Sequence, residues 1–172
     1  YQKDMKAMKT AADMINQAQR PVIYYGGGVG LSNAEAELKE LVDKAGIPAT
    51  YTVMAAGALS DDKELNIGLI GMHGTRTSNH VINKADLVVA IGARFSDRVA
   101  LNPKRFATEA KIIQIDIDVS EVNKNVLVDA YLVGDVKQVL TDLIPMVEEK
   151  QHPEWVEQIK EWQRHDYHPK DS

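Results

Sequence analysis

Short unbroken apolar runs alternate along this chain with longer segments in which apolar residues recur every three or four positions. These are the patterns of strands buried on both faces and of amphipathic helices. The runs are Pro21–Tyr25 (PVIYY), Ala49–Val53, Leu87–Ile91 (LVVAI), Lys111–Ile117 (KIIQIDI) and Asp129–Val133; Leu65–Leu69 adds one more if it pairs. A helix is predicted from about Lys3 to Gln19, with Met5, Met8, Ala12 and Ile15 on one stripe and Arg20 and Pro21 ending it. After the first strand, Ser32 with Glu35 three residues on reads as a capping box, and Ala34, Leu38, Leu41, Val42 and Ala45 as the buried face of a helix closed by Gly46. Further helices are expected from about Thr77 to Lys84, over a short stretch ending near Asn125, and from Asp135 to about Lys150. The tail, His152 to His168, reads as a last helix with Trp155, Ile159 and Trp162 on one stripe. The alternation predicts the α/β class: a doubly wound, mostly parallel, five- or six-stranded sheet, Rossmann-like, with helices on both faces and right-handed crossovers.

In such a sheet, ligands bind beyond the carboxyl ends of the strands, so the residues there carry the candidate chemistry. The first strand runs into Gly26, Gly27, Gly28, Val29 and Gly30, a turn that can bring backbone N–H groups close to an anion such as a pyrophosphate, or simply turn tightly in a βα unit. Leu31 stands where a GxGxxG fingerprint wants its third glycine, and Val53 leaves no acid at the end of the second strand for a ribose. A nicotinamide dinucleotide in the usual register is therefore disfavoured. The run Leu87–Ile91 ends in Gly92 and Ala93 and then delivers Arg94, Ser96, Asp97 and Arg98. Lys111–Ile117 brings Asp116 to the crevice edge, where a carboxylate can accept hydrogen bonds from ribose hydroxyls, while Asp118 is assigned to a helix cap. Asp135 reads equally as a cap or as a ligand contact. His73, on the glycine-punctuated segment GLIGMHGT (68–75), is more simply a hydrogen-bonding structural residue than a base.

Composition narrows the classes. The 172 residues suit one domain, and 44% apolar with 26% charged residues is ordinary for a globular protein. A net charge of −5 leaves no electrostatic footprint for nucleic acid or an anionic membrane, and no apolar run is long enough for a transmembrane helix. Cysteine is absent, which removes thiolate metal sites and fits a reducing, cytoplasmic setting. His152, His165 and His168 are not at a metal-binding spacing, and no GxSxG, HExxH or P-loop occurs. The chain begins at Tyr1 rather than Met, so a piece of a longer protein is expected. The residues alone lead to an α/β domain that binds a nucleotide-like ligand at its strand ends.

In combination and in this order, RPVIYYGGGV (20–29), IGLIGMHGT (67–75), ADLVVAIGARFSDRV (85–99), KIIQIDID (111–118) and YLVGDV (131–136) resemble the central domain of the acetolactate synthase (acetohydroxyacid synthase) catalytic subunit. That family is dependent on thiamine diphosphate. The resemblance implies a three-domain subunit in which residues 1–150 form the central FAD-binding domain and residues 151–172 lead toward a thiamine-diphosphate domain. It implies that thiamine diphosphate and Mg2+ are held by the other domains, that FAD lies near the reaction without a net redox role, and that the fragment alone is inactive. The condensation implied joins pyruvate to pyruvate or 2-oxobutyrate with loss of CO2, in branched-chain amino acid biosynthesis. Implied partners are the subunit's own other domains, further copies of the subunit and a small regulatory subunit. Another thiamine-dependent carboligase or oxidase, or a free-standing nucleotide-binding module, is the alternative.

Carried across by position, the resemblance places Gly26, Gly27 and Gly28 at the FAD diphosphate. It adds Thr52, Met72, His73, Gly92, Arg94, Arg98 and Val99 as flavin-site positions, Asp116 and Ile117 at the adenosine end, and Gly134, Asp135 and Val136 to complete the pocket. Arg98 corresponds to the arginine at the active-site mouth that favours the second 2-oxo acid, a guanidinium suited to bidentate binding of a carboxylate, with Asp97 orienting it.

Overall fold

A computed structural model describes residues 4–51, 66–69, 76–93, 110–117 and 128–166. Six strands, β1 (Pro21–Tyr25), β2 (Ala49–Tyr51), β3 (Asn66–Leu69), β4 (Leu87–Ile91), β5 (Lys111–Asp116) and β6 (Ala130–Val133), pair in the order β3-β2-β1-β4-β5-β6. All pairings are parallel, so the doubly wound sheet expected from the alternating pattern is present, and Asn66–Leu69 supplies its sixth strand by pairing with β2. β1 and β4 are buried at every residue. Their continuous apolar sequences are what a central parallel strand covered on both faces requires.

Two helical layers provide the cover. On one face, α1 (Met5–Gln17), α3 (Glu35–Ala45) and α5 (Val136–Leu143) pack Met8, Ile15, Leu38, Leu41, Val139 and Leu140 against Ile23, Val89, Ile113 and Leu132. On the other, α4 (Arg76–Lys84) and α6 (Pro153–Asp166) set Val81, Ile82, Trp155 and Ile159 on Val22, Val88 and Ile112. Burying each such aliphatic side chain is worth roughly 1.5–3 kcal/mol.

Local chemistry sets the helix ends. Asp4 caps α1 by accepting from the Ala7 N–H at 3.0 Å. Its buried stripe is Met8, Ala11, Ala12 and Ile15; Met5, expected on it, is the first residue of the helix and is 52% exposed. The capping box at Ser32 does not form. The chain instead makes one helical turn, α2 (Gly28–Leu31), and the Ser32 N–H closes it by donating to the Gly28 carbonyl at 3.1 Å. Asn33 then reverses the backbone at φ +55°, and α3 starts after Ala34 with no side-chain cap. Gly46 ends α3 in the left-handed conformation, φ +62°, as its sequence position predicts.

α5 stops at Leu143 rather than near Lys150, giving way to a 3-10 turn over Ile144–Met146. Pro145 is the cause, since it lacks an N–H and its ring clashes with the preceding turn. The tail helix forms as expected, with Trp155 and Ile159 buried and Trp162 half-buried. It is bound tightly to its own sheet: the Trp155 Nε1–H donates to the Pro21 carbonyl at 2.8 Å, and the His152 ring lies between the carbonyls of Gly46 (3.0 Å) and Ala18 (3.1 Å).

Candidate functional site

The strand order reverses between β1 and β4: β1 connects outward to β2, and the chain returns on the other side of β1 as β4. At such a switch point the loops leaving the two strands diverge and open a crevice. Here those loops begin with Gly26 and Gly92. The Gly26 N–H donates to the Ile91 carbonyl at 3.0 Å, the Gly28 N–H to the Gly92 carbonyl at 2.9 Å, and the Gly92 N–H to the Ile115 carbonyl at 2.9 Å. The sheet's hydrogen bonding thus continues past the strand ends.

The glycines have a steric reason. A Cβ on Gly26 would lie 2.6 Å from the Gly92 oxygen, one on Gly28 2.7 Å from the Gly92 Cα, and one on Gly92, at φ +60°, 2.8 Å from the Gly28 Cα. The backbones of the two loops interlock, and no side chain fits between them. The amides of Gly26 and Gly28, read from sequence as candidate anion donors, are used within the protein. Gly27 is the residue from which α2 starts.

The adjoining end of β5 and β6 is chemically different. Asp116, the last residue of β5, is 9% exposed; its Oδ1 accepts from the Ile117 N–H at 2.7 Å, and its carbonyl accepts from the Gly134 N–H at 2.9 Å. Ile117 beside it is 68% exposed. Gly134, at φ 155°, turns the chain into α5. Asp135 caps that helix, accepting from the Gln138 N–H at 3.2 Å, and Val136 is buried in the core, so both have a structural role at the crevice edge. Asp135→Ala is expected to cost about 1 kcal/mol in urea unfolding through loss of the cap.

The structure brings Gly26, Gly27, Gly28 and Gly92 together at the switch point, and Asp116, Ile117, Gly134, Asp135 and Val136 at the neighbouring strand ends. Across β1, β4, β5 and β6 this line covers three strand spacings, about 14 Å, which suits an extended ligand rather than a compact one. Thr52, Met72, His73, Arg94, Asp97, Arg98 and Val99 lie outside the described residues, as do Asp118 and the short helix near Asn125.

One feature escaped sequence reasoning. Register places Thr50, Tyr24, Ala90, Gln114 and Tyr131 side by side across β2, β1, β4, β5 and β6. They share the α4–α6 face, and Thr50, Tyr24 and Gln114 are fully buried or nearly so. Asp116 lies two residues further along β5 on the same face, next to Tyr131. Gln114 within KIIQIDI was the visible signal, since a polar residue in the middle of a fully buried strand needs a reason. The Tyr131 phenol is pushed above its ordinary range, first by burial and then by the Asp116 carboxylate. A phenol held protonated in the fold contributes stability below its unfolded value, about pH 10, and loses it as pH rises above that. Alkaline unfolding monitored by circular dichroism should therefore show a steeper loss for the native protein than for Tyr131→Phe.

Among the described residues no three His, Asp or Glu side chains gather as metal ligands, and no helix is long and apolar enough to cross a membrane.

Residues 8–143 match the family described as thiamine pyrophosphate enzyme, central domain. The chain belongs to this family. The strand order, the glycine-locked switch point and the acid-bearing β5 end are thus features of a thiamine pyrophosphate enzyme central domain. The chain is 45% identical over 157 residues to a probable acetolactate synthase large subunit of Methanocaldococcus jannaschii, covering 90% of this chain and 27% of the relative. It is 43% identical over 159 residues to the acetolactate synthase isozyme 1 large subunit of Escherichia coli, covering 92% and 28%. It is 42% identical over 157 residues to the acetolactate synthase of Mycobacterium bovis, covering 91% and 25%. The chain therefore spans about a quarter of the length of these relatives.

Proposed function

We propose that this chain is the FAD-binding central domain of an acetolactate synthase large subunit. The whole protein would condense pyruvate with a second 2-oxo acid, pyruvate or 2-oxobutyrate, with release of CO2, in branched-chain amino acid biosynthesis in the cytoplasm. The observation that carries this reading is the 40–45% identity, over nearly the whole chain, to proteins that bear that name. Thiamine diphosphate with Mg2+ supplies the carbon–carbon bond chemistry and would be held by the flanking domains, in a homo-oligomer with a regulatory small subunit. Residues 1–150 would make the flavin domain, and 151–172 the passage toward the thiamine domain.

The described residues fit the adenosine end of FAD. Asp116 offers a carboxylate for ribose hydroxyls at the mouth of the crevice, and the exposed Ile117 gives an apolar surface beside it. The interlocked Gly26, Gly28 and Gly92 keep the floor of the diphosphate region free of side chains. Gly134, Asp135 and Val136 would close the far wall, and Thr52, Met72, His73, Arg94, Arg98 and Val99 would complete the flavin contacts. Arg98, oriented by Asp97, would receive the carboxylate of the second 2-oxo acid.

Colorimetric detection of acetoin, after acid treatment of pyruvate reactions, tests the activity. The full-length protein should form acetolactate only with thiamine diphosphate and Mg2+, whereas residues 1–172 alone should form none. A full-length protein that cannot consume pyruvate under those conditions would overturn the reading.

A further inference from the structure

We propose that Tyr131 is a positioning residue for Asp116, its phenolic O–H being the donor that holds the carboxylate in place when the adenosine ribose binds; this rests on the reading of Asp116 as the ribose contact. Tyr131 pairs in register with Gln114 and Val133 with Asp116, so the phenol and the carboxylate occupy diagonal positions on one face of adjacent strands. Diagonal neighbours on a sheet lie within reach of long aromatic side chains. The Tyr131 hydroxyl is buried and has no hydrogen-bond partner among the described residues. Leaving a buried hydroxyl unpaired is costly, so natural structures retain one mainly where a ligand, a water or a conformational change satisfies it. Asp116 is 9% exposed and its Oδ1 accepts from the Ile117 N–H, so its carboxylate is held at the strand end within the phenol's neighbourhood. The carboxylate also raises the phenol's affinity for its proton, which keeps it a donor.

Engaging a ribose draws the carboxylate's oxygens toward the hydroxyls of the sugar. A fixed phenol behind it then limits its rotation and replaces the solvation it loses. Tyr131 touches neither the reacting atoms nor, on this proposal, the ribose itself. Its effect passes through Asp116.

The test is a double-mutant cycle in the full-length protein, with FAD as the probe and its dissociation constant read from flavin fluorescence. Tyr131→Phe should weaken FAD binding roughly 3- to 10-fold, the net value of one typical hydrogen bond. In an Asp116→Ala background the same change should have almost no effect. A second readout uses no FAD. The ionisation of Tyr131, isolated at 295 nm as the difference between native protein and Tyr131→Phe, should move to lower pH in Asp116→Asn. If Asp116→Ala leaves FAD affinity unchanged, the ribose reading of Asp116 is wrong. If it weakens binding while Tyr131→Phe has no effect, or an additive one, the positioning role is overturned and the ribose reading stands. An ionisation unmoved by Asp116→Asn also counts against the pairing.

Discussion

Gly92→Ala is expected to disrupt the strand-end crevice and destabilise the fold markedly. Two costs add. A non-glycine residue at φ +60° carries about 1–2 kcal/mol of backbone strain, and forcing a methyl into a filled space costs about 1–3 kcal/mol more. The obstructing atoms are the backbone of Gly28 and Val29, which cannot rotate aside as a flexible side chain could. A loss of about 2–5 kcal/mol in urea unfolding is the expected result. Gly30→Ala is the control. No atom lies within 4 Å of a Cβ there, and Ala is the better helix former by about 0.5–1 kcal/mol, so this variant should be neutral or slightly more stable. Equal tolerance of both substitutions would show that the loops of β1 and β4 do not interlock.

The second large effect is expected at Trp155. Its indole is 4% exposed in the α4–α6 core and meets Trp162 edge-on with ring centres 6.0 Å apart. Truncating such a ring to Ala costs about 3–5 kcal/mol. The Pro21 carbonyl at the start of β1 would also lose its donor. Trp155→Phe separates the two contributions, since it keeps most of the apolar contact and should lose only about 1 kcal/mol for the hydrogen bond. Guanidinium unfolding followed by fluorescence gives both values. A Trp155→Ala protein as stable as the native one would mean that α6 is not integral to this fold.

The parallel sheet was legible because its evidence is local. β1 and β4 are apolar throughout, and a segment with helical periodicity follows β1 and another precedes β4. The site was legible only in part. Glycine was visible at 26, 28 and 92, but the reason for it, two loop backbones in contact, depends on β1 lying beside β4, which no local pattern reveals. The polar row from Thr50 to Tyr131 was hidden for the same reason: each residue looks incidental in its own strand until register aligns them. Ser32 misled because Ser-x-x-Glu satisfies the capping box equally well when the helix begins later and the serine closes a separate turn. Pro145 could have been read directly, since a proline inside an expected helix predicts the early end that α5 shows.

On the function proposed above, the β5–β6 end of this sheet would hold the adenosine part of FAD. Titrating the chain of residues 1–172 into FAD while following flavin fluorescence, with ADP as competitor, tests it most directly. Saturable binding of micromolar strength is expected, displaced by ADP and strongly weakened in Asp116→Ala, in a protein whose circular dichroism remains native. Binding that ADP cannot displace, or that Asp116→Ala leaves intact in a folded protein, would contradict it.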